Sequence, residues 1–196
     1  MVVDTGDGSS VTVTSQGWAS AGMNALPSTT ALSFGLAGPV VSGLAIVPTL
    51  GLGDLQARSV EVRIEPVNGF SQSIGTAGRI GSGFLQGYRV LLDPAAGHMV
   101  LSPGPNADKP PLRSTTGILA GILKDRIRVL HVMKNSPAEQ AGWKSGDMIC
   151  SVNGQPITPA YPTSPLASWS IASPGTVVNL GPVSYTHLTL PTILRV

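Results

Sequence analysis

Residues 136–157 read SPAEQAGWKSGDMICSVNGQPI, a stretch that combines signals for a short helix and a tight hairpin. Ser136 before Pro137 is typical of a helix start, and Gly142 is typical of a helix end. The apolar residues that follow read as a strand, and Asn153-Gly154 is a strong signal for a two-residue hairpin turn. The stretch therefore predicts helix, strand, turn and strand in close succession.

The spacing Ser-Pro-Ala-x-x-Ala-Gly-x-x-x-Gly-Asp-x-Ile-x-x-Val-Asn-Gly-x-x-Ile is similar to that of PDZ domains of bacterial proteases. The resemblance implies an α+β PDZ domain over residues 113–181, in which a bound peptide adds a strand to a sheet edge. Its C-terminal carboxylate then sits in a nest of backbone amides. By resemblance this nest is formed by Thr116, Gly117, Ile118 and Leu119; the alternative is that they only begin a buried strand. Ser164-Pro165 is expected to open the helix that lines the groove.

The chain begins MVVDTGDGSSVTVT, in which Asp4-Thr5-Gly6 follows two β-branched residues. Such a triplet can end a strand in a turn, because the Thr hydroxyl can stabilise the turn and Gly lets the backbone bend. Residues 11–14 are β-branched throughout and predict a strand that leaves this turn.

Four further segments follow in order. Residues 35–43 are interpreted either as a mobile hairpin or as an ordinary surface loop, because glycines stand at both ends and in the middle. Residues 59–65 alternate between apolar and charged side chains, which predicts a half-buried strand. Residues 78–93 read GRIGSGFLQGYRVLLD, and after a turn at 94–97 the sequence HMVL predicts a closing hairpin.

In this order, the segments resemble those of retropepsin-like bacterial aspartyl proteases. The resemblance covers about the first hundred residues and implies a mainly β fold, an acid-protease β-barrel lobe over residues 1–103. It implies that Asp4, Thr5 and Gly6 are catalytic, and that the Ile-Gly-x-x-Phe-Leu stretch packs behind their turn. The chain departs from the family at Gly83, where Asp or Asn is usual, and at Asp7, where a small residue is common.

The Asp7 carboxylate is expected to point to solvent. If it approached Asp4 instead, the two like charges would disfavour ionisation of both. The family also carries a hairpin before the catalytic strand, whereas three residues precede Asp4 here. We therefore expect a truncated fragment that lacks this N-terminal hairpin.

Aspartic protease chemistry needs two carboxylates that share a proton. Of the seven Asp residues, Asp4 alone is followed by Ser or Thr and then Gly. The second carboxylate is expected from a homodimer partner or from a second lobe that precedes this one. The alternative is an inert protease-like lobe beside a peptide-binding PDZ scaffold.

The composition argues against several other functions. A net charge of +2 without a basic run gives no indication of a nucleic-acid partner. One Cys and three scattered His predict neither a metal site nor a cofactor, and Cys150 is expected to be a small buried hydrophobe. Residues 31–53 are apolar, but their glycines and prolines favour buried strands over a membrane-spanning helix, so a membrane-anchored PDZ protein is the weaker interpretation.

Residues 104–112 have the Pro-rich composition of a linker. Residues 182–196 resemble translated sequencing-adaptor read-through in assembled metagenomic sequence, and are expected not to be native, although Tyr185 to Leu190 alternates as a strand would. From the family resemblance alone, we expect a periplasmic or secreted protein.

Overall fold

The computed structural model describes residues 1–35, 38–107, 109 and 112–182, together with the backbone of 192–195. The fold is mainly β, as the sequence predicted. The chain divides into two compact units, Met1–Pro111 and Leu112–Val196, which are described separately below.

The first unit is built on a six-stranded sheet with the order β1-β6-β2-β5-β4-β3. Its strands are β1 (Val2–Asp4), β2 (Val11–Thr14), β3 (Ser28–Gly35), β4 (Gly38–Leu52), β5 (Leu55–Glu65) and β6 (Gly78–Gly81). Three short α-helices, α1 (Ser15–Ser20), α2 (Phe70–Ser73) and α3 (Ser82–Leu85), and a 3₁₀ helix, Met23–Ala25, complete the connections of this sheet.

Strand β6 lies between β1 and β2, although those two strands follow one another in the chain. It runs parallel to β1 and antiparallel to β2. Glycine is required at both ends of β6, because a Cβ at Gly78 would overlap the Thr12 carbonyl oxygen and one at Gly81 would overlap that of Ser9. This close approach holds β6 directly behind the turn that follows β1.

The apolar segment 31–53 forms most of the long hairpin of β3 and β4 rather than a helix. Gly35 and residues 38–43 belong to the two strands of this hairpin, while Leu36 and Ala37 lie outside the described residues. No helix in the described ranges is both long and apolar enough to cross a membrane.

The predicted closing hairpin is confirmed as β7 (Tyr88–Asp93) and β8 (His98–Pro103), which pair in a two-stranded sheet of their own. Much of its apolar surface is exposed, with Leu91 at 65% and Leu92 at 54%. At its base the ring of Tyr88 stacks on Phe84 of α3, with the ring centroids 5.0 Å apart. The core beneath the six-stranded sheet is formed by Val11, Trp18, Ala45, Val47, Ala57, Val60, Val62, Ile80, Phe84 and Leu85.

The second unit contains a sheet with the order β14-β13-β11-β10-β9, and β12 pairs with β11. Its strands are β9 (Ile118–Ile122), β10 (Ile127–Val132), β11 (Met148–Val152), β12 (Gln155–Pro156), β13 (Val177–Pro182) and β14 (Thr192–Arg195). The helix α4 (Pro137–Gln140) and two 3₁₀ helices, Tyr161–Thr163 and Pro165–Ile171, complete it. The helix expected after Ser164-Pro165 thus forms as a 3₁₀ helix.

The helix start and the hairpin turn predicted in residues 136–157 are both present. The Ser136 side chain accepts a hydrogen bond from the Glu139 amide at 3.2 Å and caps α4. Asn153 and Gly154 both have positive φ, 51° and 78°, and turn β11 into β12.

Cys150 departs from its prediction. It is only half-buried, and its thiol donates to the Gly181 carbonyl oxygen at 3.3 Å. The core of this unit contains Trp143 and Trp169, and the Trp169 indole donates a 2.6 Å hydrogen bond to the Tyr161 hydroxyl. The strand predicted for Tyr185 to Leu190 lies outside the described residues.

Candidate functional sites

The Asp4 turn is the first candidate site. Asp4 ends β1, and its Oδ1 accepts a hydrogen bond from the Gly6 amide at 3.0 Å. The Asp7 amide donates to the Asp4 carbonyl oxygen at 3.2 Å and closes the turn. Thr5 is exposed. The Asp4 carboxylate itself therefore stabilises the turn. The sequence had led us to expect this role of the Thr5 hydroxyl.

The Ile80-Gly81 segment lies directly behind this turn, because Val3 pairs with Ile80 and Asp4 with Gly81 in parallel register. The start of α3 is held there by the Ser82 amide, which donates to the Asp7 carbonyl oxygen at 2.7 Å. A Cβ at Gly83 would lie 2.7 Å from the Gly8 carbonyl oxygen, too close for any side chain without a shift of the turn. This explains physically why glycine stands at position 83.

Asp7 does not point to solvent, so that expectation was wrong. Its Oδ1 accepts hydrogen bonds from the Ser9 amide at 2.9 Å and the Ser9 hydroxyl at 2.6 Å. Its Oδ2 accepts from the Thr12 hydroxyl at 3.2 Å and from Arg79 Nε at 3.1 Å. The carboxylate is therefore an internal acceptor that joins the turn to β2 and β6.

The pKa of Asp7 lies below its usual value. Burial alone would raise this pKa, but the hydrogen bonds from the Ser9 side chain and amide and the charge of Arg79 together outweigh burial. Because the lowered pKa favours the charged form, Asp7 stabilises the fold above its unfolded-state pKa, and this contribution is lost as the pH falls through the folded value.

Arg79 is the centre of the site, and the sequence reasoning missed it. Its Nε lies 3.5 Å from Asp4 Oδ2, its Nη2 3.0 Å from Asp7 Oδ2 and its Nη1 3.0 Å from Glu65 Oε1. The guanidinium carbon also lies 4.9 Å from the centre of the Phe70 ring. One cation therefore contacts three carboxylates, and its side chain is only 13% exposed.

Glu65 closes the buried side of this cluster. Its side chain is 9% exposed, and its Oε2 accepts a hydrogen bond from the Ser71 amide at 2.9 Å. The sequence signal for Glu65 was its place as a charged residue at the end of the alternating strand. The sequence did not show that Arg79 is its partner, because this contact depends on sheet register. Chemically, the cluster fixes the orientation of Asp4, whose side chain remains 33% exposed.

The loop before β9 is the second candidate site. Gly117 has a φ of +80°, and a Cβ there would overlap the Ser136 side chain that caps α4. The Gly117 amide donates to the Ser114 hydroxyl at 3.0 Å, and the Ile118 amide donates to the Thr116 hydroxyl at 3.3 Å. Thr116 is fully buried. The loop is thus tightly fixed by its own hydroxyl groups.

The orientation of the β9 main chain follows from two hydrogen bonds at its ends. The Met133 amide donates to the Gly117 carbonyl oxygen, and the Leu123 amide donates to that of Arg126, both at 2.8 Å. Along an antiparallel ladder, residue pairs that are hydrogen-bonded alternate with pairs that are not. In the pairing of β9 with β10, the register shifts between Val129 and His131 of β10. The main-chain groups of three residues therefore point away from β10: Ala120, Ile122 and Ile118, of which Ile118 is already hydrogen-bonded to the Thr116 and Ser114 hydroxyls. We call these groups the β9 edge.

Thr115 ties the loop to the end of the 3₁₀ helix Pro165–Ile171. Its amide donates to the Ser170 carbonyl oxygen at 2.9 Å, and its hydroxyl donates to that of Ala172 at 2.8 Å. Several apolar side chains nearby remain exposed: Leu119 at 38%, Ile122 at 49%, Leu123 at 46% and Ile171 at 42%. Exposed apolar side chains beside an open strand edge can contact an extended chain that adds to it.

A family model for the PDZ domain matches residues 128–181. A PDZ domain is therefore present in the second unit. The matched residues include α4 and the hairpin of β11 and β12, and they begin after the loop 116–119. No curated protein matches the chain. Among the residues described, no group of three His, Cys, Asp or Glu side chains is placed to hold a metal ion.

Proposed function

We propose that the second unit binds extended peptides by strand addition at the β9 edge. The observation that carries this proposal is that β9 ends the sheet order, while the amides and carbonyls of Ala120 and Ile122 face outward beside exposed apolar side chains. Main-chain hydrogen bonds to such an edge supply affinity, and contacts with alternate side chains supply selectivity. The PDZ domain at residues 128–181 supports the same function.

Ala120→Pro tests strand addition. Proline removes an amide that faces outward, so we expect the sheet to keep its internal ladder while peptide affinity falls about tenfold or more. Ala120→Ser is the matched control, since it keeps the amide and nearly the same volume. The measurement is fluorescence polarisation of labelled octapeptides selected from a random library on the full chain. Equal affinity of the proline and serine variants would exclude the β9 edge as the binding site.

A second function is favoured by the Asp4 turn. We propose that Asp4 is one member of the catalytic pair of an aspartic endopeptidase, with Thr5 and Gly6 completing its turn. The support is geometric: the Asp4 carboxylate is partly exposed, fixed by the Gly6 amide, and backed by Ile80-Gly81 as the family resemblance implies. The second carboxylate would come from another copy of the chain or from a second lobe.

Asp4→Asn tests this second function, with Asp54→Asn as the control at an exposed carboxylate. We expect the cleavage of fluorescent casein, measured between pH 4 and pH 7 over a series of chain concentrations, to fall about 10²–10⁴-fold in Asp4→Asn only. Cleavage that survives this substitution would remove Asp4 from the chemistry. Complete absence of cleavage by the unmodified chain would instead support an inert lobe beside a peptide-binding scaffold.

A further inference from the structure

The amides expected to hold a peptide carboxylate are already used within the chain. Gly117 donates to the Ser114 hydroxyl at 3.0 Å and Ile118 to the Thr116 hydroxyl at 3.3 Å. The third amide, that of Leu119, faces β10, because Leu119 pairs with His131 at a hydrogen-bonded position of the ladder. Three of the four nest residues thus direct their amides at acceptors inside the protein.

A carboxylate could reach the Ile118 amide only by displacing a hydroxyl. The Thr116 side chain is fully buried, so its oxygen would lose a donor in a place that water does not reach. The Ser114 hydroxyl lies 3.2 Å from the Thr116 hydroxyl and donates to the Ile118 carbonyl oxygen at 3.4 Å, so both hydroxyls belong to one network. Displacement of one hydroxyl disturbs the other, and the network opposes entry of a terminal carboxylate.

The rest of the β9 edge has no such obstruction. Strand addition at Ala120 and Ile122 needs only a passing main chain, which has no terminal charge to place. Arg113 is the single charged residue from 112 to 123, so the segment that borders the site selects mainly by apolar contact. The unobstructed edge and the apolar border both favour a bound peptide whose main chain continues past the loop.

Resting on the proposed peptide binding, we infer that the ligand is an internal extended segment of another protein with apolar side chains, and not a free C-terminus. The hydroxyls of Ser114 and Thr116 take the place that a terminal carboxylate would occupy. The partner is therefore recognised within its sequence, for example in a loop or an unfolded region.

The test uses one random octapeptide library made in two forms, with a free C-terminal carboxylate and with a C-terminal amide. Binding of each selected sequence to the full chain is measured by fluorescence polarisation. We expect the affinities of the two forms to agree within about threefold, because the amides of Gly117, Ile118 and Leu119 are directed at acceptors within the chain. A preference for the carboxylate form above about tenfold would overturn the inference while leaving peptide binding intact. Failure of both forms to bind would overturn the inference and the proposed peptide binding together.

Removal of the hydroxyls gives the complementary experiment. Ser114→Ala with Thr116→Val frees two amides, and we expect the carboxylate form to gain about tenfold while the amidated form stays unchanged. Because Thr116 is buried, Ser114→Ala alone serves as a second, milder variant and should give a smaller gain of the same sign. No gain in either folded variant would overturn the role assigned to these hydroxyls.

Discussion

Replacement of Arg79 with Met is expected to destabilise the first unit by about 3–5 kcal/mol at pH 7, because it leaves buried carboxylates without their cation. Glu65 and Asp7 are only 9% and 16% exposed at their side chains, so water cannot solvate them fully in its place. Methionine keeps an apolar stem of similar length beside Phe70. The loss of stability therefore reports the missing charge. The measurement is the free energy of unfolding in urea, followed by circular dichroism.

The matched control is Arg89→Met on the exposed strand β7. We expect it to change the free energy of unfolding by no more than about 0.5 kcal/mol. Similar losses in the two variants would show that the three carboxylates do not depend on Arg79.

The pH dependence gives a sharper test of the same change. In the unmodified chain, the Asp7 contribution to stability is present above the unfolded-state pKa and is lost as the pH falls through its lowered folded value. In Arg79→Met the Asp7 carboxyl group loses the charge that helps to lower its pKa, so it accepts a proton more readily, and the protonated group needs no cation. The stability difference between the two proteins should therefore narrow below about pH 4. A difference that is constant from pH 7 to pH 3 would indicate lost packing instead of lost charge compensation.

Gly117→Ala is expected to destabilise the second unit by about 3 kcal/mol or more, through two separate effects. The φ of +80° is unfavourable for a residue with a Cβ, and this Cβ would also overlap the Ser136 side chain. Ser136 cannot move freely, because it caps α4. Urea unfolding followed by the fluorescence of Trp143 and Trp169, both buried in this unit, measures the loss.

Gly142→Ala separates the two effects. Gly142 has a nearly identical φ of +85°, but a Cβ there would meet nothing within 4 Å. We expect this control to lose only about 1–2 kcal/mol, the cost of the backbone conformation. Equal losses at the two positions would mean that the contact between residue 117 and Ser136 is unimportant.

The sequence was most informative where the structure depends on neighbouring residues. The helix α4 and the hairpin of β11 and β12 follow from a cap, a proline and turn residues a few positions apart, and the structure has both. The 3₁₀ helix after Pro165 was predicted in place but not in type. Local signals therefore account for α4 and for the hairpin of β11 and β12, both of which lie within the PDZ match.

The charged cluster could not be predicted because its members meet only through sheet register. Arg79 reaches Asp4 through the pairing of β6 with β1, and Asp7 is drawn inward by contacts with β2 and β6. A single sequence gives the positions of these charges along the chain, but not which strands become neighbours. The hydrogen bonds to the Ser114 and Thr116 hydroxyls were not predicted for a related reason. A turn pattern in the sequence does not show which acceptors the amides of the turn will bind.

The insertion of β6 between β1 and β2 has a consequence for the order of folding. Val2 pairs with Arg79, so most of the first unit lies between the two residues of this contact, although β7 and β8 follow it. Contacts between residues far apart in sequence form late, because the intervening chain must first lose its freedom. During synthesis, Asp4 emerges before residues 78–81, so it has neither its backing strand nor its arginine until they follow. The Asp4 carboxylate is thus organised only once residues 78–81 have been made, which would keep shorter chains free of an ordered Asp4 site.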